Sequence, residues 1–155
     1  MKLRIRDIER ERSIEIEESL PATRFPLDTP DRPELVGPVH AKMKAEIQDG
    51  MAWAWVEVKA SFTVCCARCL EPYPLDVRPF FDVETPITEE YLDVDDDIRQ
   101  NLLLALPSKP LCKADCKGLC VSCGKNLNKG ACGCPPQAPV SVFDALKNLK
   151  LNKGR

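Results

Sequence analysis

The chain has one histidine, His40, and that scarcity closes off familiar catalytic arrangements. A Ser-His-Asp set needs a histidine held beside its nucleophile, and His40, alternating with apolar neighbours on the polar side of an expected strand, reads as plain surface. A phosphate-cradling glycine loop is missing as well. No catalytic constellation is left, so the chain is expected not to be an enzyme and to take no small-molecule substrate. Apolar runs are also scarce. None reaches the roughly 18 residues that would span a bilayer, and the charged opening MKLRIRDIERERS has no signal-peptide core. A membrane partner is therefore not expected, and the expected location is the cytoplasm or an equivalent reducing compartment. Disulfides form poorly there, so they are a weak account of nine cysteines.

Six of those nine fall between Leu111 and Pro135, in LCKADCKGLCVSCGKNLNKGACGCP. The spacing is C-x3-C-x3-C-x2-C-x8-C-x-C, from Cys112, Cys116, Cys120 and Cys123 to Cys132 and Cys134. The segment has almost no large apolar side chains beyond Leu111, Leu119, Val121 and Leu127, so hydrophobic burial cannot be what folds it. Cys120-Val-Ser-Cys123-Gly124 has the form of a zinc knuckle, in which a trailing glycine lets backbone N–H groups turn toward sulfur. Cys66 and Cys69, in TVCCARCLEPY, give another C-x2-C pair at the end of an expected strand. Eight ligands in two four-cysteine sites leave Cys65 over, as a small apolar residue packing on its strand.

Which pairs share a metal ion is open from spacing alone. Cys120/Cys123 with Cys132/Cys134 leaves Cys112/Cys116 for Cys66/Cys69, which would pin the tail to the sheet. Joining Cys66/Cys69 or Cys112/Cys116 to Cys120/Cys123 is equally allowed, as is a single complete site. The expected metal is zinc, with iron–sulfur ligation the rival because it too uses four thiolates. A closed four-thiolate site has no open coordination position, so the expected role is structural.

At 155 residues the chain suits one ordinary domain with at most a small appended module. The expected division is a body over 1–107 and a cysteine-rich tail with a short C-terminal helix over 108–155. Leu3 and Ile5, then Ile14 and Ile16, alternate with charged residues as in short half-buried strands. Five prolines between Pro21 and Pro38 make a helix improbable and suggest a connector or a proline-guarded sheet edge. From Val39 to Val64 apolar residues alternate on either side of Asp49-Gly50, the signature of a hairpin with a type I′ turn. Leu75 to Val83 reads as a further strand. Trp53 and Trp55 share a face with Glu57 and Lys59, either as partly covered packing or as a stacking platform.

The acidic run Thr85 to Asp97 fails as a calcium loop, because Ile98 and Leu104 stand where glycine and glutamate are needed. Its aspartates instead suit the N-terminus of a helix near 97–106. The expected fold class is α+β: a mostly antiparallel sheet or open barrel, a packed helix, and a C-terminal cysteine-rich zinc module.

Charge divides the chain in the same place. Residues 1–108 hold 13 Lys/Arg against 22 Asp/Glu, net −9, and residues 109–155 hold 9 against 2, net +7. A basic tail suits a polyanion, since cationic surface supplies most sequence-independent affinity for nucleic acid. The candidate phosphate contacts are Lys109, Lys113, Lys117, Lys125 and Lys129, with Lys147 and Lys150 in an amphipathic last stretch and Arg68 inside the first C-x2-C turn. Asn126 and Asn128 read as turn residues.

CCARCLEPY, LLLALPSKPLC and CKADCKGLCVSCGKNLNKGACGC, followed by the amphipathic stretch, resemble the YceD-type family, the large ribosomal RNA subunit accumulation proteins of bacteria and plastids. The resemblance covers roughly residues 1–150. It implies a role in large-subunit (23S) rRNA accumulation, processing or assembly, with precursor rRNA or a large-subunit ribosomal protein as partner; family members vary in the cysteines, so the zinc expected from their spacing here reads as a stabilising elaboration. Many members start the last helix with Asp-Pro-Arg, where this chain has Ser141-Val142-Phe143. Two other readings compete: a protein–protein adaptor with an acidic body and a merely structural tail, and a thiol or metal-transfer protein using the surplus cysteines.

Overall fold

The computed structural model describes residues 1–27 and 33–135. The amphipathic stretch after Val140, with Lys147 and Lys150, lies outside them. The main element is the hairpin of β3 (Glu34–Gln48) and β4 (Met51–Cys65), joined at Asp49-Gly50. Both turn residues have positive φ, 51° and 77°, as a type I′ turn requires. The strands stay in register from Gln48↔Met51 to His40↔Lys59 and then slip between Val36 and His40, where Gly37 (φ 74°) and Pro38 interrupt the ladder.

β2 (Ser13–Leu20) pairs antiparallel with β3 and forms one edge of the sheet. The other edge was expected as one strand over 75–83. It is instead two collinear segments, β5 (Pro72–Val77) and β6 (Phe80–Pro86), both antiparallel to β4. The register runs on unchanged from Ala60↔Val77 to Glu57↔Phe80. Pro79 cannot donate to the ladder but still accepts from Val58 N–H at 3.0 Å. With Pro72, Pro74, Pro79 and Pro86 along it, this is the proline-guarded edge of the sheet. The two edges do not meet, so the sheet is open.

One face of the sheet is the core. Val39, Ala41, Met43 and Ala45 on β3 meet Ala54, Val56, Val58 and Phe62 on β4, all fully buried. The N-terminal segment covers this face differently from expectation. Leu3 on β1 (Lys2–Arg4), paired with β7 (Tyr91–Asp93), and Ile14 and Ile16 on β2 are half-buried strand residues as expected, but Ile5 opens a helix, α1 (Ile5–Glu11). The apolar residues that matter are Ile5 and Ile8, three apart and both buried, so helical period wins over the two-residue alternation. Arg12, with φ 66°, ends the helix. α2 (Asp95–Leu104) starts two residues before the expected 97 and turns Ile98 and Leu102 inward. Its three aspartates occupy the first turn, where negative charge complements the helix dipole. None caps the helix by side chain; Asp95 instead pairs with the Met1 amino group and with Arg24 at 2.7 Å. The architecture is α+β, an open antiparallel sheet with two helices on one face. Among the described residues no helix is long and apolar enough to cross a membrane.

Candidate metal centre

The end of β4 begins the site. After Cys65 the chain turns through Cys66-Ala67-Arg68-Cys69, closed by Leu70 N–H donating to Cys66 C=O at 2.9 Å and Cys66 N–H donating to Glu71 C=O at 3.0 Å. Leu70 takes a positive φ of 58° to leave the turn. Ala67 N–H reaches Pro110 C=O at 2.7 Å, which brings the chain after α2 alongside. The chain then climbs over Arg68. Leu119 N–H donates to Arg68 C=O at 3.1 Å, and Arg68 Nη1 donates to Cys116 C=O at 2.9 Å. Gly118 makes this approach possible: its φ is +74°, and a Cβ there would stand 3.0 Å from Arg68 O.

Four sulfurs meet as a result. Cys66 Sγ lies 3.8 Å from Cys116 Sγ, and Cys69 Sγ lies 3.7 Å from Cys112 Sγ. Four thiolates about 2.3 Å from a tetrahedral ion stand roughly 3.8 Å apart, so the spacing fits such an ion. Cys66, Cys69 and Cys116 are at most 4% exposed, packed with Tyr73 and Leu111.

The second group is more open. Cys120-Val-Ser-Cys123 forms a knuckle with Gly124 N–H on Cys120 C=O at 2.8 Å, Cys120 N–H on Lys125 C=O at 2.8 Å, and Gly124 at φ 71°. Leu119 bridges Asn126, and Leu127 N–H returns to Gly118 C=O at 2.9 Å. Cys132 and Cys134 complete the set, all four ligand atoms lying within 4.8 Å of one another. Cys123 is exposed, and the other three are partly covered.

Hydrogen bonding and burial separate the thiols within each group. The backbone N–H of Cys112, against the opposing effect of burial, draws Cys66 down to about 6, with N–H groups of Arg68 and Cys69 adding to it. The N–H groups of Cys123 and Ser122 draw Cys120 down to about 6. Burial, then hydrogen bonding to neighbouring thiols, pushes Cys112 up to about 12. A hydrogen bond with Cys123, then burial, takes Cys134 up to about 12. Each group thus holds at least one thiol drawn toward the thiolate, Cys66 and Cys116 in the first and Cys120 in the second, and at least one held toward the protonated form.

Of the pairings open in the sequence, the structure brings together Cys66/Cys69 with Cys112/Cys116, and Cys120/Cys123 with Cys132/Cys134. Cys65 was expected to pack on its strand. It is exposed, because the alternation that buries Cys66 and Val64 turns it outward. Among the candidate cations, Arg68 is spent on Cys116 C=O. Lys129 Nζ sits 2.6 Å from Glu71, Lys125 Nζ donates to Ala131 C=O at 2.8 Å, and Lys113 lies 3.8 Å from Asp115. Lys109 and Lys117 are exposed without an ion pair among the described residues. Two positioning residues escaped sequence reading. Asn128 Nδ2 donates to Cys116 Sγ at 3.3 Å while its Oδ1 accepts from Lys117 N–H, so it is more than a turn residue. Glu71 gathers Asn126 and Lys129. No local pattern marks these contacts, since Asn128 is 11 and 12 residues from Lys117 and Cys116, and Glu71 is 55 and 58 from Asn126 and Lys129.

With this geometry in hand, the comparisons with known proteins fall into place. Residues 81–150 match the YceD family, described as "Large ribosomal RNA subunit accumulation protein YceD". The match is narrower than the resemblance read over 1–150. It takes in six of the eight grouped cysteines and leaves Cys66 and Cys69 before its start. The chain is similar to two plastid YceD relatives, both named "Large ribosomal RNA subunit accumulation protein YCED homolog 1, chloroplastic". The Arabidopsis thaliana protein is 34% identical over 59 residues, 38% of this chain. The Zea mays protein is 36% identical over 53 residues, 34% of this chain. The match spans 18% of the length of each relative. No solved structure matches.

Proposed function

We propose that the protein is a non-enzymatic, zinc-folded factor in large-subunit (23S) rRNA accumulation, acting in processing or assembly within a cytoplasm-like reducing compartment. One observation carries the reading: the YceD-matched stretch contains a tail whose fold depends on two four-cysteine groups, one of them shared with the sheet. The knuckle sequences and sulfur spacing favour zinc over an iron–sulfur cluster. With four thiolates each, the sites have no open coordination position; the Cys66/Cys69/Cys112/Cys116 site acts as a staple between a body over 1–107 and a tail over 108–155, and the Cys120/Cys123/Cys132/Cys134 site closes the tail on itself. Zinc would supply cross-linking alone; the residues that present function are the tail's cations.

The lysine set reads as a phosphate-contacting surface, with Lys109 and Lys117 the most available and Lys147 and Lys150 extending it. A second reading, contact with a large-subunit ribosomal protein, is favoured by a specific observation. Lys113 and Lys125 are already engaged inside the tail and Lys129 on Glu71 of the body, and the body is acidic.

Metal analysis of the native protein, with recovery of crosslinked RNA and precursor particles from cells, tests the proposal. The expected result is two zinc per chain and precursor large-subunit rRNA whose recovery drops when Lys109 and Lys117 become glutamate. A visible iron–sulfur spectrum would overturn the zinc assignment. Absence of any pre-ribosomal association would overturn the function.

A further inference from the structure

The face of the sheet opposite the core carries aromatic side chains that stand outside the apolar clusters of the described residues. Trp53 and Trp55 on β4 are half-buried yet belong to neither buried cluster, and Phe80 on β6, opposite Glu57, is 68% exposed. Aromatic residues on an open sheet can stack nucleic-acid bases, but the charge here opposes that use. Lys42, Lys44 and Lys59 are each paired with a glutamate of the sheet, at 2.5, 2.6 and 3.4 Å from Glu15, Glu46 and Glu57. Beside the tryptophans the remaining charge is acidic, with Arg78 further along the edge, across from Lys59. Asp82 stands directly across from Trp55 and Glu84 across from Trp53, both exposed and without an ion pair among the described residues. A phosphate backbone would be repelled there.

A cation is suited to both features at once. Directly opposed residues on antiparallel strands hold their Cβ atoms about 5 Å apart, so a guanidinium stacked on an indole also reaches the carboxylate beside it. The protein makes a version of this contact itself, with Lys44 Nζ 6.0 Å from the Trp55 ring centre. Trp53 and Trp55 are two residues apart on one strand, the same repeat as alternate side chains of an extended peptide. We propose that this open face is a docking surface for an extended, arginine-rich segment of a protein partner. The surface needs neither the metal sites nor the tail's contact with RNA, so it stands or falls separately from the function proposed above.

The test uses the full-length, metal-loaded chain and a fluorescein-labelled peptide of six Arg-Ser repeats. Saturable one-to-one binding at physiological salt is expected. Trp55→Leu should weaken it about tenfold or more, as truncation of a central aromatic anchor does. The pair Asp82→Asn with Glu84→Gln should do the same while leaving the Trp side chains in place. Glu89→Gln with Glu90→Gln, which removes equal charge from a loop off this face, should leave binding within about twofold. Circular dichroism and metal content confirm folding of each variant. Four results would overturn the proposal: equal weakening by the loop pair, displacement of the peptide by oligouridine, self-association abolished by the Asp82/Glu84 pair, or tighter peptide binding when Lys147, Lys150 and Lys153 become glutamate. The last three would give the face to RNA, to a second copy, or to the chain's own tail.

Discussion

Alanine at Gly118 and alanine at Gly124 make a matched pair of perturbations. Both glycines have positive φ, +74° and +71°, so an alanine at either position is forced into left-handed backbone at about 1 to 2 kcal/mol. At Gly124 the cost ends there, because nothing lies within 4 Å of an added Cβ. At Gly118 the Cβ meets Arg68 O at 3.0 Å and Arg68 Cβ at 3.4 Å, and the first of these is backbone that cannot rotate away. Relief requires lifting the tail off the Cys66–Cys69 turn, which lengthens the Leu119 N–H bond to Arg68 C=O, worth about 0.5 to 1.5 kcal/mol net. Gly118→Ala should therefore cost about 1.5 to 3.5 kcal/mol, roughly 0.5 to 1.5 kcal/mol more than Gly124→Ala. Denaturant unfolding at a fixed free zinc concentration measures both, since bound metal contributes to the apparent stability. At 1.4 kcal/mol per decade, a chelator competition on the Cys66/Cys69/Cys112/Cys116 group should show weaker affinity in Gly118→Ala than in Gly124→Ala, by up to roughly tenfold. Agreement of the two variants within about 0.5 kcal/mol would refute the claim that the tail is held against Arg68.

Other expectations follow from the same geometry. Cys65→Ser should keep the full metal content and Cys69→Ser should lose one equivalent, as elemental analysis would show; equal losses would place Cys65 among the ligands. Asn128→Ala removes the donor to Cys116 Sγ and should weaken metal binding at that group roughly 10-fold, the low end for a residue supporting a ligand, with the other group unchanged. Metal uptake should release protons at pH 7, because Cys112 and Cys134 hold theirs to about 12 in the metal-free protein. Affinity should then rise with pH and fall on acidification, most steeply once pH drops below about 6, where Cys66 and Cys120 also protonate. A pH-independent affinity between 5 and 8 would contradict thiolate ligation.

The hairpin and its turn were legible because their determinants are local. Strict alternation names the buried face, and Asp49-Gly50 is the pair that tolerates two positive φ values. Local reading failed where the outcome depended on distant partners. Ile5 alternates like a strand residue, but it is placed beside Ile8 on one face of a helix because the β3 face offers an apolar surface for both. The edge strand was seen only from Leu75 to Val83 because Pro72, Pro74, Pro79 and Pro86 obscure a ladder that β4 nonetheless organises without a break in register.

The tail divides in the same way. The sequence by itself determined that hydrophobic burial does not account for the fold of Leu111 to Pro135, since it has thiols and turn glycines where a core would have large apolar side chains. The knuckle at Cys120–Cys123 was written locally, because four residues and a trailing glycine suffice to close it. Only the tertiary structure decided that Cys112 and Cys116 face Cys66 and Cys69. That pairing depends on Ala67 reaching Pro110, on Arg68 reaching Cys116, and on the space beside Gly118. These contacts span more than 40 residues and leave no periodic mark, so four thiols 43 to 50 positions apart meet for reasons that only the folded backbone contains.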